Sequence, residues 1–144
     1  MQTITKVAVL GGGSFGTVIA NLCALNGYAV TVWVRSEAQA EEINATHINS
    51  RYLPGFKLSK RITMSTDLLA ATESADVIFI AIPSTVFRLI LTPLAGKIKN
   101  KTLISLTKGI ESGSFYVMTQ VLEEVLPGNR VGALSGPNLA KELM

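Results

Sequence analysis

Short apolar runs alternate along the chain with stretches whose apolar residues recur every three or four positions. Residues 6–10 (KVAVL) read as a buried strand. A helix is predicted over 15–26, with Gly27 supplying the left-handed residue that commonly ends one. Residues 29–34 (AVTVWV) form the next strand, and Ser36 caps a helix over 37–44. The loop over 47–58 holds the turn signal Pro54-Gly55. It is long for a connection in such a pattern, which marks it as functional or disordered. Residues 62–65 are a weak strand, after which Ser65 or Thr66 caps a short helix through Thr72. The run 77–82 (VIFIAI) is apolar on both faces, as the centre of a parallel sheet requires. Ser84 opens a helix broken near Pro93. Strands over 102–106 and 130–134 flank a helix over 115–126, and a further helix begins at 137–142. Strands separated by helices predict an α/β fold with a doubly wound, mainly parallel sheet flanked by helices.

The length, 144 residues, suits one domain able to bury a core without disulfide or metal. Apolar residues make up 48% and charged residues 16%, a globular composition. Cys23 stands alone in an apolar helical pattern and reads as a small core residue; no cysteine or histidine cluster offers a metal site. The net charge is +3, with basic residues spread along the chain. That argues against nucleic acid and suits a phosphorylated small molecule. The stretch 77–83 is too short to span a bilayer. Residues 1–5 lack the basic-then-apolar pattern of a secretory leader, so a cytoplasmic protein is expected.

The stretch Gly11-Gly12-Gly13-Ser14-Phe15-Gly16 fits GxGxxG, between a strand and a helix. Gly11 permits the tight turn, Gly13 lacks the Cβ that would block a pyrophosphate, and Gly16 lets the helix approach the sheet. The helix amino terminus offers free N–H groups and positive potential. The alternative is a plain tight turn, but the unit over 6–34 has the size of a dinucleotide-binding βαβ element, which makes the sheet Rossmann-type. The second strand ends in Trp33-Val34-Arg35-Ser36, without the acid that usually bonds the ribose 2′-hydroxyl of NAD. Arg35 is suited to a 2′-phosphate and to stacking on adenine, or is merely a solvated strand end. NADP(H) is therefore preferred, with NAD(H) left open.

Five segments in register resemble the bacterial type of NAD(P)-dependent glycerol-3-phosphate dehydrogenase across essentially the whole chain. They are GGGSFGTVIA from Gly11, INATHINSRYLPG from Ile43, ADVIFIAIPS from Ala75, LTKGIE from Leu106 and SGPNLAKE from Ser135. The resemblance implies interconversion of dihydroxyacetone phosphate and sn-glycerol 3-phosphate, feeding phospholipid synthesis. It implies that residues 1–144 are the dinucleotide-binding domain of a longer, usually homodimeric protein. An all-helical substrate domain and the proton-donating lysine would lie beyond Met144, so these residues alone are expected to show little turnover. It carries cofactor contacts to Ser14, Phe15, Arg35, Tyr52, Lys108 and Ala140, and substrate contacts to Lys108, Gly136 and Asn138. Phe15 keeps the aromatic character of a position often held by Trp or Tyr, whereas Asn138 replaces a more usual Ser or Thr. Lys108 follows a strand, at the edge where ligands bind in such folds, and can neutralise a phosphate or polarise a ketone oxygen. Ser135 to Asn138 end a strand and offer backbone N–H groups to an anion, or are a capped turn.

Several other residues are given structural readings. Ser84 is a helix cap or a ligand contact. His47 makes a loop-stabilising hydrogen bond rather than acting as a base. Tyr28, Trp33, Phe79 and Phe87 pack the core, while Gln120, Glu123 and Glu124 form a solvated face. An apolar patch is expected where the substrate domain would dock, with association or a disordered tail over 139–144. Two rivals stay open: another two-domain dehydrogenase of the 6-phosphogluconate or ketopantoate type, and a redox-sensing module that binds NAD(P)H without chemistry.

Overall fold

The computed structural model describes residues 3–136 and 139–144. Six strands and the helices between them follow in alternation: β1 (Lys6–Leu10), α1 (Ser14–Leu25), β2 (Ala29–Trp33), α2 (Glu37–Thr46), β3 (Ile62–Ser65), α3 (Leu68–Glu73), β4 (Val77–Ile80), α4 (Phe87–Leu91), β5 (Thr102–Ser105), α5 (Met118–Val125) and β6 (Arg130–Ala133). They form one parallel sheet in the order β3-β2-β1-β4-β5-β6. This is the strand order of dinucleotide-binding folds, and its switch point falls between β1 and β4.

Alternation along the strands divides the core in two. In β1, Val7 and Val9 face a cluster with Val30, Val32, Ala20, Ala24 and Ile43, beneath α1 and α2. Ala8 and Leu10 face the other cluster, with Ile78, Ile80, Leu103, Phe87 and Leu122, beneath α3, α4 and α5. Each fully buried side chain of this kind contributes roughly 1.5–3 kcal/mol, so the sheet edge rests on a rigid base. Trp33 and Phe87 are buried, while Tyr28, Phe79 and Cys23 pack half-buried against the cluster beneath α1 and α2, close to expectation. Burial pushes the Cys23 thiol pKa up.

The differences from expectation lie at element ends. The helix expected from Phe15 starts one residue earlier, at Ser14. Asp67, rather than Ser65 or Thr66, caps α3, accepting from the Ala70 N–H at 2.9 Å. Ser65 instead accepts from the Asp67 N–H. Ser84 caps nothing: it begins a 3-10 turn (Ser84–Val86) that leads into α4, and a second such turn (Thr92–Leu94) carries Pro93. The helix expected from Phe115 starts at Met118. Phe115 takes a left-handed conformation (φ 60°) in a turn closed by an antiparallel bridge between Ile110 and Val117. The expected solvated face is exposed at Gln120, Glu123 and Glu124 alike. Gln120 accepts from the Val117 N–H and Glu124 pairs with Arg88 at 3.0 Å.

Residues 47–58 form an ordered loop. A bridge between Ile48 and Lys57 closes it, and Leu53, Leu58 and Asn49 are buried. The hydrogen bonds of His47 are those of its backbone, to Ile43 and Leu58, and they end α2 in a left-handed cap. In place of the expected further helix or disordered tail, Ala140–Glu142 form a 3-10 turn, and Met144 packs against the cluster beneath α1 and α2. Leu139 and Leu143 are exposed.

Candidate functional site

The glycine turn sits where β1 meets α1, at the carboxyl edge of the sheet. The Gly11 N–H donates to the Trp33 carbonyl at 2.9 Å, and φ is 113°, a conformation that only glycine adopts freely. A Cβ there would also run into the Ala81 carbonyl oxygen. Gly16 packs on the Gly11 carbonyl and on Ala81 Cβ, so a side chain there would push α1 off the sheet. Gly13 is different. Its backbone is extended (φ −74°, ψ −175°), and a Cβ would meet nothing within 4 Å. As the N-cap of α1 it has no side chain to satisfy the helix's first N–H groups, and no acid lies in the first turn. That end of α1 therefore keeps its donors and positive potential for an external anion.

Two cavities meet at this turn. The first, about 460 Å³, is lined by Gly11, Gly13, Arg35, Ser36, Gln39 and Tyr52, with Trp33 and Arg51 beside them. The second, about 390 Å³, is lined by Gly13, Phe15, Gly16, Ser84, Thr107 and Lys108. Gly13, Ala81, Ile82 and Pro83 line both, so the two form one groove across the switch point. Thr107 Oγ1 donates to the Ile82 carbonyl at 2.7 Å and ties the segment after β5 to that floor. Ser14, Tyr52, Leu53 and Ala140 line a third hollow on the loop side.

The expected site residues thus fall into three groups: Gly11, Gly13, Arg35 and Tyr52 around the first cavity; Gly13, Phe15, Gly16 and Lys108 around the second; Ser14, Tyr52 and Ala140 around the third. The Ser14 hydroxyl donates to the Tyr52 carbonyl at 3.0 Å, so its fixed role is to dock the loop. Gly136 follows β6 at the same sheet edge but lines none of these cavities. Asn138 lies outside the described residues.

Four residues escaped the sequence reading. Arg51 lines the first cavity with its guanidinium 5.2 Å from the Tyr52 ring centroid. Gln39 and Asn49 both donate to the Gly12 carbonyl of the turn. Gly12, the variable position of the motif, has no room for a Cβ against Val34 and Gln39. Arg51 and Asn49 precede Tyr52 within the long loop, and the signals available were that loop's length and its place in the segment from Ile43.

The groove is electrostatically one-sided. Its two cavities are lined by Arg35, Arg51 and Lys108 and by no carboxylate. Glu37, the first acid after β2, accepts instead from Thr66 Oγ1 at 2.6 Å. Behind the second cavity, Arg88 grips Glu111 through Nε at 2.7 Å and Nη2 at 2.9 Å. This anchors the segment that carries Lys108. Arg88 and the Ser114 hydroxyl hold the Glu111 carboxyl well below its ordinary range, at about 2. Among the described residues no group of acids, cysteines and histidines could hold a metal ion, and no helix is long and apolar enough to cross a membrane.

The family described as "NAD-dependent glycerol-3-phosphate dehydrogenase N-terminus" matches residues 6–144. A glycerol-3-phosphate dehydrogenase (NAD(P)+) from Pseudomonas syringae pv. tomato is 52% identical over 143 residues, covering 99% of this chain. The chain spans 42% of that relative's length. The crystal structure of glycerol-3-phosphate dehydrogenase from Coxiella burnetii superposes with a TM-score of 0.89 at 30% identity, covering 97% of this chain and 43% of that one. GDP-mannose dehydrogenase from Pseudomonas aeruginosa, at 18% identity and a TM-score of 0.65, shares the fold alone.

Proposed function

The chain belongs to the NAD-dependent glycerol-3-phosphate dehydrogenase family, and from that premise we propose that it forms the dinucleotide-binding part of an enzyme interconverting dihydroxyacetone phosphate and sn-glycerol 3-phosphate. The observation that carries this reading is the continuous groove from Arg35 past Gly13 to Lys108. The cradle suits a dinucleotide: open space at Gly13, uncapped N–H groups at α1, and three cations without an acid. The nicotinamide cofactor, when bound, supplies or accepts the hydride.

The chain's own residues bind and orient. Gly13 and the first turn of α1 hold the pyrophosphate, with Gly11 and Gly16 shaping the turn. Arg35, Arg51 and Tyr52 hold the adenosine end, and Ser14 and Ala140 help keep the loop over it. Phe15 flanks the nicotinamide side. Lys108 draws in the substrate phosphate and steadies negative charge on the carbonyl oxygen. Gly136 and Asn138 complete the substrate side. A helical domain outside these residues supplies the proton donor, so the 144-residue chain binds cofactor with little turnover. We assign NADP(H) as the preferred cofactor, supported by two arginines and no carboxylate at the first cavity. The full-length protein is read as a cytoplasmic homodimer serving phospholipid synthesis.

Titrating this chain with NADPH and NADH, followed by nicotinamide fluorescence or calorimetry, tests the reading. Saturable binding of both is expected, tighter for NADPH. Equal or tighter binding of NADH would overturn the preference, and binding of neither would overturn the assignment. A sensor module would share the groove, but it would have no use for a cation after β5 anchored by the Arg88–Glu111 pair.

A further inference from the structure

Two side-chain amides from different elements converge on one backbone carbonyl of the phosphate turn. Gln39 Nε2, on α2, donates to the Gly12 carbonyl at 2.8 Å, and Asn49 Nδ2, in the 47–58 loop, donates to it at 2.9 Å. Asn49 is fully buried, and the same nitrogen donates to Thr17 Oγ1 at 2.9 Å. Its Oδ1 accepts from the Tyr52 N–H at 3.4 Å. Both amides reach a turn 27 and 37 residues away in sequence.

The consequence follows from peptide geometry. Among the described residues no peptide bond is cis, so the N–H of the Gly12–Gly13 peptide points opposite to its carbonyl. A glycine pair has little preference of its own for either face of this peptide, because neither residue carries a Cβ. Pinning the carbonyl on the two amides turns the Gly13 N–H to the opposite side, away from Gln39 and Asn49. Among the described residues no hydrogen bond uses that N–H. With the peptide reversed, the groove would present a carbonyl oxygen to an incoming phosphate.

We propose that Gln39 and Asn49 are positioning residues that aim the Gly13 N–H at the pyrophosphate of the bound dinucleotide. The proposal rests on the reading of the groove as a dinucleotide site. It also gives Asn49 a second duty. By holding both Gly12 and Tyr52, it makes the phosphate turn and the adenosine-side loop move as one unit. Gln39 also lines the first cavity but bonds the turn and not the loop, so the two duties can be separated.

Dissociation constants of NADPH, NADH and adenosine 2′-monophosphate for the wild-type chain, Gln39→Met and Asn49→Ala provide the test. The monophosphate carries the 2′-phosphate but no pyrophosphate. Gln39→Met is expected to weaken NADPH and NADH by the same factor, about three- to tenfold, and the monophosphate by a clearly smaller one. Asn49→Ala is expected to weaken both dinucleotides about tenfold and the monophosphate to a lesser degree. The Gly13 amide cross-peak in ¹H–¹⁵N spectra is expected to shift in both variants. Gln39 is only half-buried, so its variant keeps the proposal open to refutation even if Asn49→Ala fails to fold. Wild-type affinity in Gln39→Met would overturn the proposal. So would an unmoved Gly13 resonance, or a loss of monophosphate in proportion to dinucleotide. A wild-type chain that binds neither dinucleotide would overturn the groove assignment itself, which is a separate outcome.

Discussion

The two ends of the groove are built differently. Around the phosphate turn and the loop beside it, several positions are fixed more than once. Gly11 is held by its conformation and by the Ala81 carbonyl, Gly12 by two amides, and the loop by Ser14, Asn49 and a bridge. The substrate side has Lys108 exposed on a segment anchored at a distance, and Gly136 beyond an edge strand whose residues are half-buried or exposed. On the proposed reading, the cofactor contacts rest on fixed elements, while the substrate-side Lys108 stands exposed. The contrast predicts that the two functions separate under mutation.

The largest effect is expected at the open end. Lys108→Ala in the full-length subunit should lower kcat/KM for dihydroxyacetone phosphate by about 10²–10³, the scale of losing one charge-stabilising donor. The same change in this chain should alter the NADPH dissociation constant less than about threefold, because Lys108 lies outside the cavity that holds the adenosine end. Steady-state kinetics and titration check the two halves. A parallel loss in both would erase the distinction between the ends.

Within the closed end, two glycines of one motif should behave differently. Gly13→Ala places a Cβ in open space on an extended backbone, so the thermal midpoint should hold. Dinucleotide affinity should fall about 10- to 100-fold as the anion loses its approach to the N–H groups. Gly11→Ala should lose binding and stability together. The backbone conformation costs about 1–3 kcal/mol for a non-glycine residue, and overlap with the Ala81 carbonyl adds to that. Calorimetric unfolding beside NADPH titration would show it; a Gly13→Ala chain as unstable as Gly11→Ala would place the turn's glycines in one structural class.

This split also shows what the sequence could and could not carry. GxGxxG is legible because three backbone demands coincide in six residues between a strand and a helix. The strands were legible because parallel strands buried on both faces read as continuous apolar runs, as at Val77–Ile80. Asn49, Gln39 and Arg51 were not, since their contacts span the fold: a buried Asn looks like any loop Asn until its carbonyl partner is known. Phe115 misled because an apolar residue preceding a helical pattern reads as its first turn, whereas its left-handed backbone closes a separate loop. Asp67 won the cap of α3 by lying three residues before the N–H it accepts from.

A smaller effect tests the cation pair at the adenosine end. Arg35→Ala should weaken NADPH about tenfold, the scale of one charge-assisted hydrogen bond, and NADH less than about twofold. Arg51→Ala should act in the same direction with a smaller ratio, since its guanidinium is shared with the Tyr52 ring. Competitive titration of the two nucleotides reads the ratio directly, and equal losses for both would assign Arg35 to adenine stacking alone.

The smallest expected effect lies behind the open end, in the dependence of stability on pH. The Arg88 guanidinium, and then the Ser114 hydroxyl, lower the Glu111 pKa from the ordinary 4.5 to about 2. A carboxyl lowered on folding adds stability that is fully present above its unfolded pKa and is lost as pH falls through the folded one. The window for Glu111 therefore runs from about pH 4.5 down to about pH 2. Asp76 contributes in the same direction, because the Thr5 and Lys6 N–H groups lower its pKa. Wild-type stability in this window consequently mixes the two, and the difference between wild type and Glu111→Gln isolates the first. Urea unfolding at pH 7, 4.5, 3 and 2 should show the gap between the two proteins narrowing as the acid limit is approached. Since the pair is partly exposed, it should also narrow in high salt. A gap that stays constant with pH would mean that Glu111 works by packing, and that the anchor behind Lys108 is steric rather than ionic.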